Sequence, residues 1–277
     1  NDLMPPILEA INASQTLTRK LFSIEFLTTL SNEALVSLIY HRQLDSQWES
    51  EAKNLQSALN IRIIGRSRKQ KIVLDKDYVT EKLTVDNREY RYQQVETGFT
   101  QPNARVNCKM LSWASSCLSY SQGDLVELYC GNGNFTVVLA QHFDRVLATE
   151  ISKISVNSAL ENFKQNQVKN VIVARLSSEE LTQALNKERE FRRLSNVDLD
   201  SYNFTSIFVD PPRAGLDSGT EKLVTEFDSI LYISCNPDSL IKNLKTITQT
   251  HKIQKVAVFD QFPWTDHLES GVYLQRR

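Results

Sequence analysis

The chain has 277 residues, of which 41% are hydrophobic and 23% charged, which excludes wholesale disorder and leaves room for one large domain or two. No apolar run approaches the ~18 residues a membrane helix needs, and mean hydropathy is -0.35, so no membrane partner is expected. Thirty-two basic residues against thirty-three acidic ones leave a net charge of -1, so any nucleic-acid surface must come from local clustering.

From Lys20 to about Gly98 the pattern is short and antiparallel in character. Residues 22–27 and 33–40 flank Ser31-Asn32 as a hairpin, and Trp48, Ala52, Leu55 and Leu59 predict a helix over 46–59. Strand character resumes at 61–64 and 71–74, around a tip running from Gly65 to Gln70. Residues 1–98 are therefore expected to form a smaller α+β module. Arg62, Arg66, Arg68, Lys69 and Lys71 crowd its strand-turn-strand tip with no acid between Ile61 and Leu74. That cluster is expected to bind RNA phosphates, the alternative being a merely solvated hairpin.

From about Gln101 strand and helix alternate. Helices are expected over 103–117, 135–142 and 155–165, and strands over 125–129, 145–149, 171–174, 206–209, 230–233 and 255–259. Such alternation predicts an α/β domain over 99–277, a parallel sheet with helices on both faces and ligands at the carboxyl ends of its strands. The polar stretch 177–201 is expected to be a solvated helix and loop.

Cys130-Gly131-Asn132-Gly133-Asn134 follows a strand and opens a helix. Its glycines allow a tight turn and close ligand approach, and the helix N-terminus offers free N–H groups. Glu150, nineteen residues after Gly131, ends the next strand, where an acid accepts hydrogen bonds from ribose hydroxyls. The third glycine of a pyrophosphate fingerprint is absent and no GxxxxGK[ST] loop exists, so S-adenosyl-L-methionine, which has no phosphate, is the expected cofactor. The alternative is a plain strand-helix turn.

Asp210-Pro-Pro-Arg213 and Ser234-Cys235-Asn236-Pro237 each end a later strand, which brings Asp210 and Cys235 to one sheet edge. Asp210 is a candidate catalytic-site residue that ligates the cofactor or hydrogen-bonds a planar heterocycle, the alternative being a simple strand terminator. A nucleophilic thiol needs a depressed pKa, and Arg213 is the candidate stabiliser of the thiolate or of a developing oxyanion. Glu269 is the candidate proton-abstracting base, against the blander reading of a surface turn. His267-x-Glu269 has no third ligand nearby, so no metal is expected. Cys108 and Cys117 fit an apolar helix pattern, and Cys130 is taken as structural. With no CxxC pair and no opening signal peptide, the thiols are expected to be reduced and the protein cytoplasmic.

Phe99-Thr-Gln-Pro-Asn103, Leu128-Tyr-Cys-Gly-Asn-Gly-Asn-Phe135, Phe208-Val-Asp-Pro-Pro-Arg-Ala-Gly-Leu216, Ser234-Cys-Asn-Pro237 and Asp260-Gln-Phe-Pro263 with His267-Leu-Glu269 together resemble the RNA uracil-5-methyltransferase family. The match is closest to its tRNA-directed branch, which makes ribothymidine at position 54 of the T loop. The resemblance implies a Rossmann-like S-adenosylmethionine-dependent methyltransferase domain, preceded by an RNA-binding module to whose contacts Phe99 would add. It further implies that Gln101, Tyr129, Gly131, Gly133, Asn134, Glu150 and Asp210 contact the cofactor, that Cys235 is the nucleophile and that Glu269 is the general base. The partner would be the T arm of tRNA, with no obligate protein partner. The cysteines are too scattered for an iron–sulfur cluster. Family members carry a substantial segment ahead of the point where this chain starts, so part of the RNA surface is expected to lie outside it. Two other readings stay open: an adenine amino-methyltransferase needing no thiol, and an RNA-binding or folding protein that retains a cofactor site.

Overall fold

The computed structural model describes residues 2–277, which divide into two compact units: residues up to 82 with 93–97, and residues 83–92 with 98–277. The strip 83–92 thus groups with the second unit, although a single boundary at residue 98 places it in the first.

The first unit begins with two helices the periodicity did not predict, α1 (Met4–Ala13) and α2 (Gln15–Thr18). Strands β1 (Leu21–Thr28) and β2 (Ala34–Tyr40) form the expected antiparallel hairpin, turned at Asn32 with φ 62°. Helix α3 (Ser46–Leu59) is capped by the Asp45 carboxylate, which accepts from Trp48 N at 2.9 Å, and ends on left-handed Asn60. It crosses over to β3 (Arg62–Ser67), parallel to β2, and β4 (Gln70–Val73) returns antiparallel. The turn is only Arg68-Lys69, shorter than the six-residue tip expected. Gly65 lies within β3, where a Cβ would stand 2.3 Å from the buried Trp48 ring. A two-stranded ribbon, β5 (Tyr78–Val85) and β6 (Arg88–Val95), turns at Asp86-Asn87, both with positive φ.

The second unit contains α4 (Ala104–Leu118), β7 (Asp124–Leu128), α5 (Thr136–Leu139), β8 (Val146–Thr149), α6 (Lys153–Gln165), β9 (Val171–Ala174) and α7 (Ser178–Leu185). There follow β10 (Phe204–Val209), α8 (Ser218–Val224), β11 (Ser229–Ser234), α9 (Pro237–Ile247), β12 (His251–Phe259) and β13 (Glu269–Arg276). They build one sheet in the order β12-β13-β11-β10-β7-β8-β9. Along the central strands side chains alternate between two cores. Leu125, Phe208, Leu231 and Ile233 pack with α4, α5 and α6, whereas Val126, Ile207, Val209, Ile230 and Tyr232 pack with α7, α8 and α9. Helices therefore cover both faces, as the alternation predicts.

Two departures matter. The sheet is not wholly parallel, because β13 inserts antiparallel between β11 and β12. Its first residue is Glu269, which stands in the sheet rather than on a surface turn. The stretch 177–201 is also less solvated than its charges suggest. After α7 come two short 3-10 turns, and Phe191, Leu194, Val197 and Leu199 pack on the core.

Candidate active site

The connections from β7 lead outward to β8 and β9, and those from β10 lead the other way to β11. The crevice beyond the carboxyl ends of β7 and β10 is therefore the topological switch point of the sheet. The loop 130–134 and Asp210 both open onto it.

The loop is held rigidly. Gly131 and Gly133 have φ of 56° and 79°, and the preceding Tyr129 is also left-handed at 62°. At Gly133 a Cβ would stand 2.7 Å from the Phe163 ring, but at Gly131 nothing lies within 4 Å, so that side of the turn is open to a ligand. Glu150 is aimed by two backbone donors, Gly131 N to Oε2 at 3.0 Å and Ser152 N to Oε1 at 2.7 Å. The amides of Asn107 and Asn134 pair reciprocally at 2.8 and 2.9 Å, and Tyr92 donates to Asn134 O at 3.0 Å. The Tyr129 hydroxyl donates to Ser178 Oγ at 2.8 Å. The loop does not open a long helix: the expected 135–142 helix is one short α turn followed by a 3-10 turn.

Two buried carboxyl groups, Glu127 and Glu269, and the half-buried Asp210 cluster at this end of the sheet without a cationic partner among the described residues. Burial and the nearby Glu269 push Asp210 well above the usual carboxylate range. Glu127, 1% exposed near the end of β7, is raised to about 8 by burial with Asp210 adding to it. Glu269 is raised to about 7 by burial, and its Oε2 has no hydrogen-bond partner. A site built this way favours a cationic ligand, because each carboxylate left alone in low dielectric is costly.

Cys235 follows β11 and Glu269 begins β13. Ser234 pairs with Ser270 in that antiparallel register, so the thiol and the carboxyl stand on neighbouring strand ends. The thiol pKa is raised, first by burial and then by Glu269 and Asp210. The expected depression by Arg213 does not arise: its guanidinium acts in the lowering direction but is the weakest of these influences. Arg213 is exposed, with Nη1 3.3 Å from His267 Nε2 and its carbonyl accepting from Asn236 Nδ2 at 2.9 Å. Gln101 is half-buried and accepts a 2.9 Å bond from Gln261. Phe99 is exposed.

The basic cluster of the first unit is less free than its sequence suggests. Arg62 pairs with Glu33, Arg66 with the buried Glu96 through both carboxylate oxygens, and Lys71 with Asp77 at 2.8 Å and Glu96 at 3.3 Å. Only Arg68 and Lys69, exposed at the turn, lack an ion pair among the described residues. Sequence reasoning missed their neighbours. Phe22, 67% exposed, stacks on His41 at 4.5 Å, and with Arg42, Arg66 and Arg68 it borders a cleft of about 750 Å³. An exposed Phe at the start of an amphipathic strand was the available signal. Glu127, Asn107 and Gln261 were also missed, since nothing local marks a buried polar residue as part of a site. Among the described residues there is no cluster of three metal-ligating side chains and no helix long and apolar enough to cross a membrane.

A family model described as tRNA (Uracil-5-)-methyltransferase matches residues 1–277. The tRNA/tmRNA (uracil-C(5))-methyltransferases of Teredinibacter turnerae and Cellvibrio japonicus are 62% and 60% identical over 276 and 277 residues, spanning this chain and 76% of each relative. Among solved structures, a Pyrococcus abyssi tRNA (uracil-54, C5)-methyltransferase in complex with S-adenosyl-L-homocysteine superposes with TM-score 0.71 at 19% identity, covering 97% of this chain and 65% of that one. A tRNA m1G37 methyltransferase of M. jannaschii gives 0.53 at 12% identity, covering 98% and 78%. Those two likenesses speak to the fold, which is the Rossmann-like one of methyltransferases.

Proposed function

The chain belongs to the tRNA (uracil-5-)-methyltransferase family, and we propose that it methylates C5 of the T-loop uridine at position 54 of tRNA, using S-adenosyl-L-methionine and a transient bond between Cys235 and C6 of the ring. The observation that carries this reading is the placement of a thiol and a buried, unpaired carboxyl, Cys235 and Glu269, on adjacent strand ends beside the cofactor crevice.

The residues present fit that cofactor. Glu150, aimed by two backbone N–H groups, accepts from ribose hydroxyls, and the open side of Gly131 admits the adenosine. Three carboxyl groups without a cation suit a sulfonium, which supplies an electrophilic methyl when bound, and nothing in the loop is arranged for a pyrophosphate. Tyr129, Gly133, Asn134, Gln101 and Asp210 complete the proposed contacts.

C5 of uracil is too weak a nucleophile to be alkylated unaided. Attack by the Cys235 thiolate on C6 saturates the 5,6 double bond and moves electron density through an enolate to C5, which then takes the methyl group. Glu269 removes the C5 proton, and the returning electron pair expels the Cys235 sulfur and restores the ring. A carboxyl with a pKa of about 7 is suited to this, being partly ionised near neutrality and more basic than an ordinary carboxylate. Arg213, beside His267 and close enough to act on the Cys235 thiol, supplies positive charge for the enolate oxygen. Reaching C6 requires the base to leave its stack, at a cost of a few kcal/mol. The exposed Phe22–His41 stack, flanked by arginines, offers a surface for unstacked bases and phosphates, with Arg68 and Lys69 adding to it. Phe99, exposed in the second unit, is a further proposed RNA contact. A tRNA substrate makes the cytoplasm the working compartment.

The test is incubation with an unmodified T-stem-loop RNA and methyl-labelled cofactor, followed by nucleoside mapping, alongside the Cys235→Ala variant. Label on C5 of the loop uridine, lost in Cys235→Ala together with the covalent complex on 5-fluorouridine RNA, supports the reading. Full turnover by Cys235→Ala would falsify it.

A further inference from the structure

Gln261 lies two residues beyond Phe259, the residue of β12 that pairs with Glu269, so it belongs to the reacting end of the crevice. It is 2% exposed. Its Oε1 accepts from Asn103 N at 3.1 Å, while its Nε2 donates to Gln101 Oε1 at 2.9 Å and lies 3.4 Å from Met110 Sδ. A side-chain amide has two ends of opposite polarity, and here the chain dictates which end goes where. The backbone N–H of Asn103 can only donate, so it holds the Gln261 oxygen, and the thioether can only accept, so it faces the Gln261 NH2. That NH2 in turn fixes the Gln101 oxygen towards Gln261, and the Gln101 NH2 is left turned outward from the pair.

We propose that Gln261 is a positioning residue that makes Gln101 an obligate hydrogen-bond donor, and that the acceptor it meets is the carboxylate of the cofactor's amino-acid end. The inference rests on the cofactor reading above. Of the two charged groups on an amino acid, the ammonium only donates and the carboxylate only accepts, so a donor held in place selects the carboxylate. Glu150, at the end of β8 on the other side of the switch point, takes the ribose. Gln101, near the ends of β12 and β13, is therefore left for the opposite end of the same ligand. A fixed rotor also spares the ordering cost that a free glutamine would incur on binding.

The test compares two ligands by calorimetry: S-adenosyl-L-homocysteine, which has the amino-acid end, and 5′-methylthioadenosine, which lacks it. Gln261→Met should weaken S-adenosylhomocysteine about tenfold and leave methylthioadenosine within twofold, with no further loss when combined with Gln101→Met. Gln101→Glu, a near-isosteric change at a half-buried position, keeps an acceptor for Gln261 but as a carboxylate presents no donor. It should lose S-adenosylhomocysteine at least as strongly while retaining methylthioadenosine. Equal weakening of both ligands, the same Gln261→Met loss in the Gln101→Met background, or wild-type affinity in Gln101→Glu overturns the proposal. So does unchanged S-adenosylhomocysteine binding with a raised KM for RNA alone, which assigns the Gln101 amide to a uracil carbonyl. A wild-type protein that binds neither ligand overturns the cofactor reading, and the inference with it.

Discussion

Cys235 and Glu269 stand together just beyond one rung of the sheet, the Ser234–Ser270 pair at which antiparallel β13 meets β11. The carboxyl raises the thiol, and burial raises both. Two anions at this spacing oppose each other, so the thiolate forms most readily when positive charge enters the site.

A first consequence concerns pH. Glu269 must be ionised to accept a proton, and with a pKa of about 7 its ionised fraction, and with it kcat, should rise through neutrality. Glu269→Gln should remove that limb and lower turnover by about 10²-fold or more. Because the step it serves follows sulfur attack, the variant should also accumulate covalent protein–RNA complex on natural uridine RNA. Denaturing gels read the complex directly, and their failure to show it would place the proton acceptor elsewhere.

Glu127 makes a stability prediction. In the unfolded chain its carboxyl ionises near 4.5, but in the fold not until about 8. Between those values the folded state binds more protons, so this group's contribution to stability falls as pH rises through that window and levels off above 8. Glu127→Gln removes the effect. Its melting temperature relative to wild type should climb from pH 5 to pH 8 and then stay level, the whole effect being on the order of several kcal/mol. A pH-independent difference would show that Glu127 finds a partner.

The two loop glycines should separate by phenotype. Gly133→Ala combines a left-handed backbone with a 2.7 Å approach to the core ring of Phe163, and should cost about 2–4 kcal/mol in denaturant unfolding. Gly131→Ala meets nothing, so it should cost only about 1 kcal/mol. Its methyl nevertheless projects into the space proposed for adenosine. Calorimetry with S-adenosylhomocysteine should show a clear loss there despite the intact fold.

Within the basic cluster the ion pairs sort the residues. Neutralising Arg68 and Lys69 should reduce the slope of log affinity for tRNA against log salt by up to about two, while leaving melting temperature and cofactor affinity unchanged. Arg66→Gln instead strips the buried Glu96 of its bidentate partner and should destabilise the fold by about 1–2 kcal/mol, Lys71 remaining beside the carboxylate. Phe22→Ala should cost about 1–3 kcal/mol of RNA affinity with little change in the salt slope, because stacking carries no counterions. The same slope change from both classes of variant would argue that charge alone holds the RNA.

Much of the second unit was legible in the sequence because its information is short-range. Alternating apolar strands, and glycines where φ turns positive, are written within a few residues of each other. Strand ends collect at one edge of any doubly wound sheet. The positions of the loop 130–134, Glu150, Asp210 and Cys235 relative to that edge therefore followed from order along the chain. The short tip at Arg68-Lys69 did not, since Gly65 reads as a turn residue until the Trp48 ring is seen lying over it.

What the sequence determined by itself was the family motifs, the alternation of strand and helix, and which residue types sit at strand ends. Only the tertiary structure decided where β13 inserts, that Glu96 and Glu33 claim arginines some thirty residues away, and which way round the Gln101 amide faces. Propensity and periodicity act between neighbours along the chain. Desolvation and hydrogen-bond polarity depend on what the fold brings together from far apart, and it is these that set the charge state of Glu269 and the orientation of Gln101.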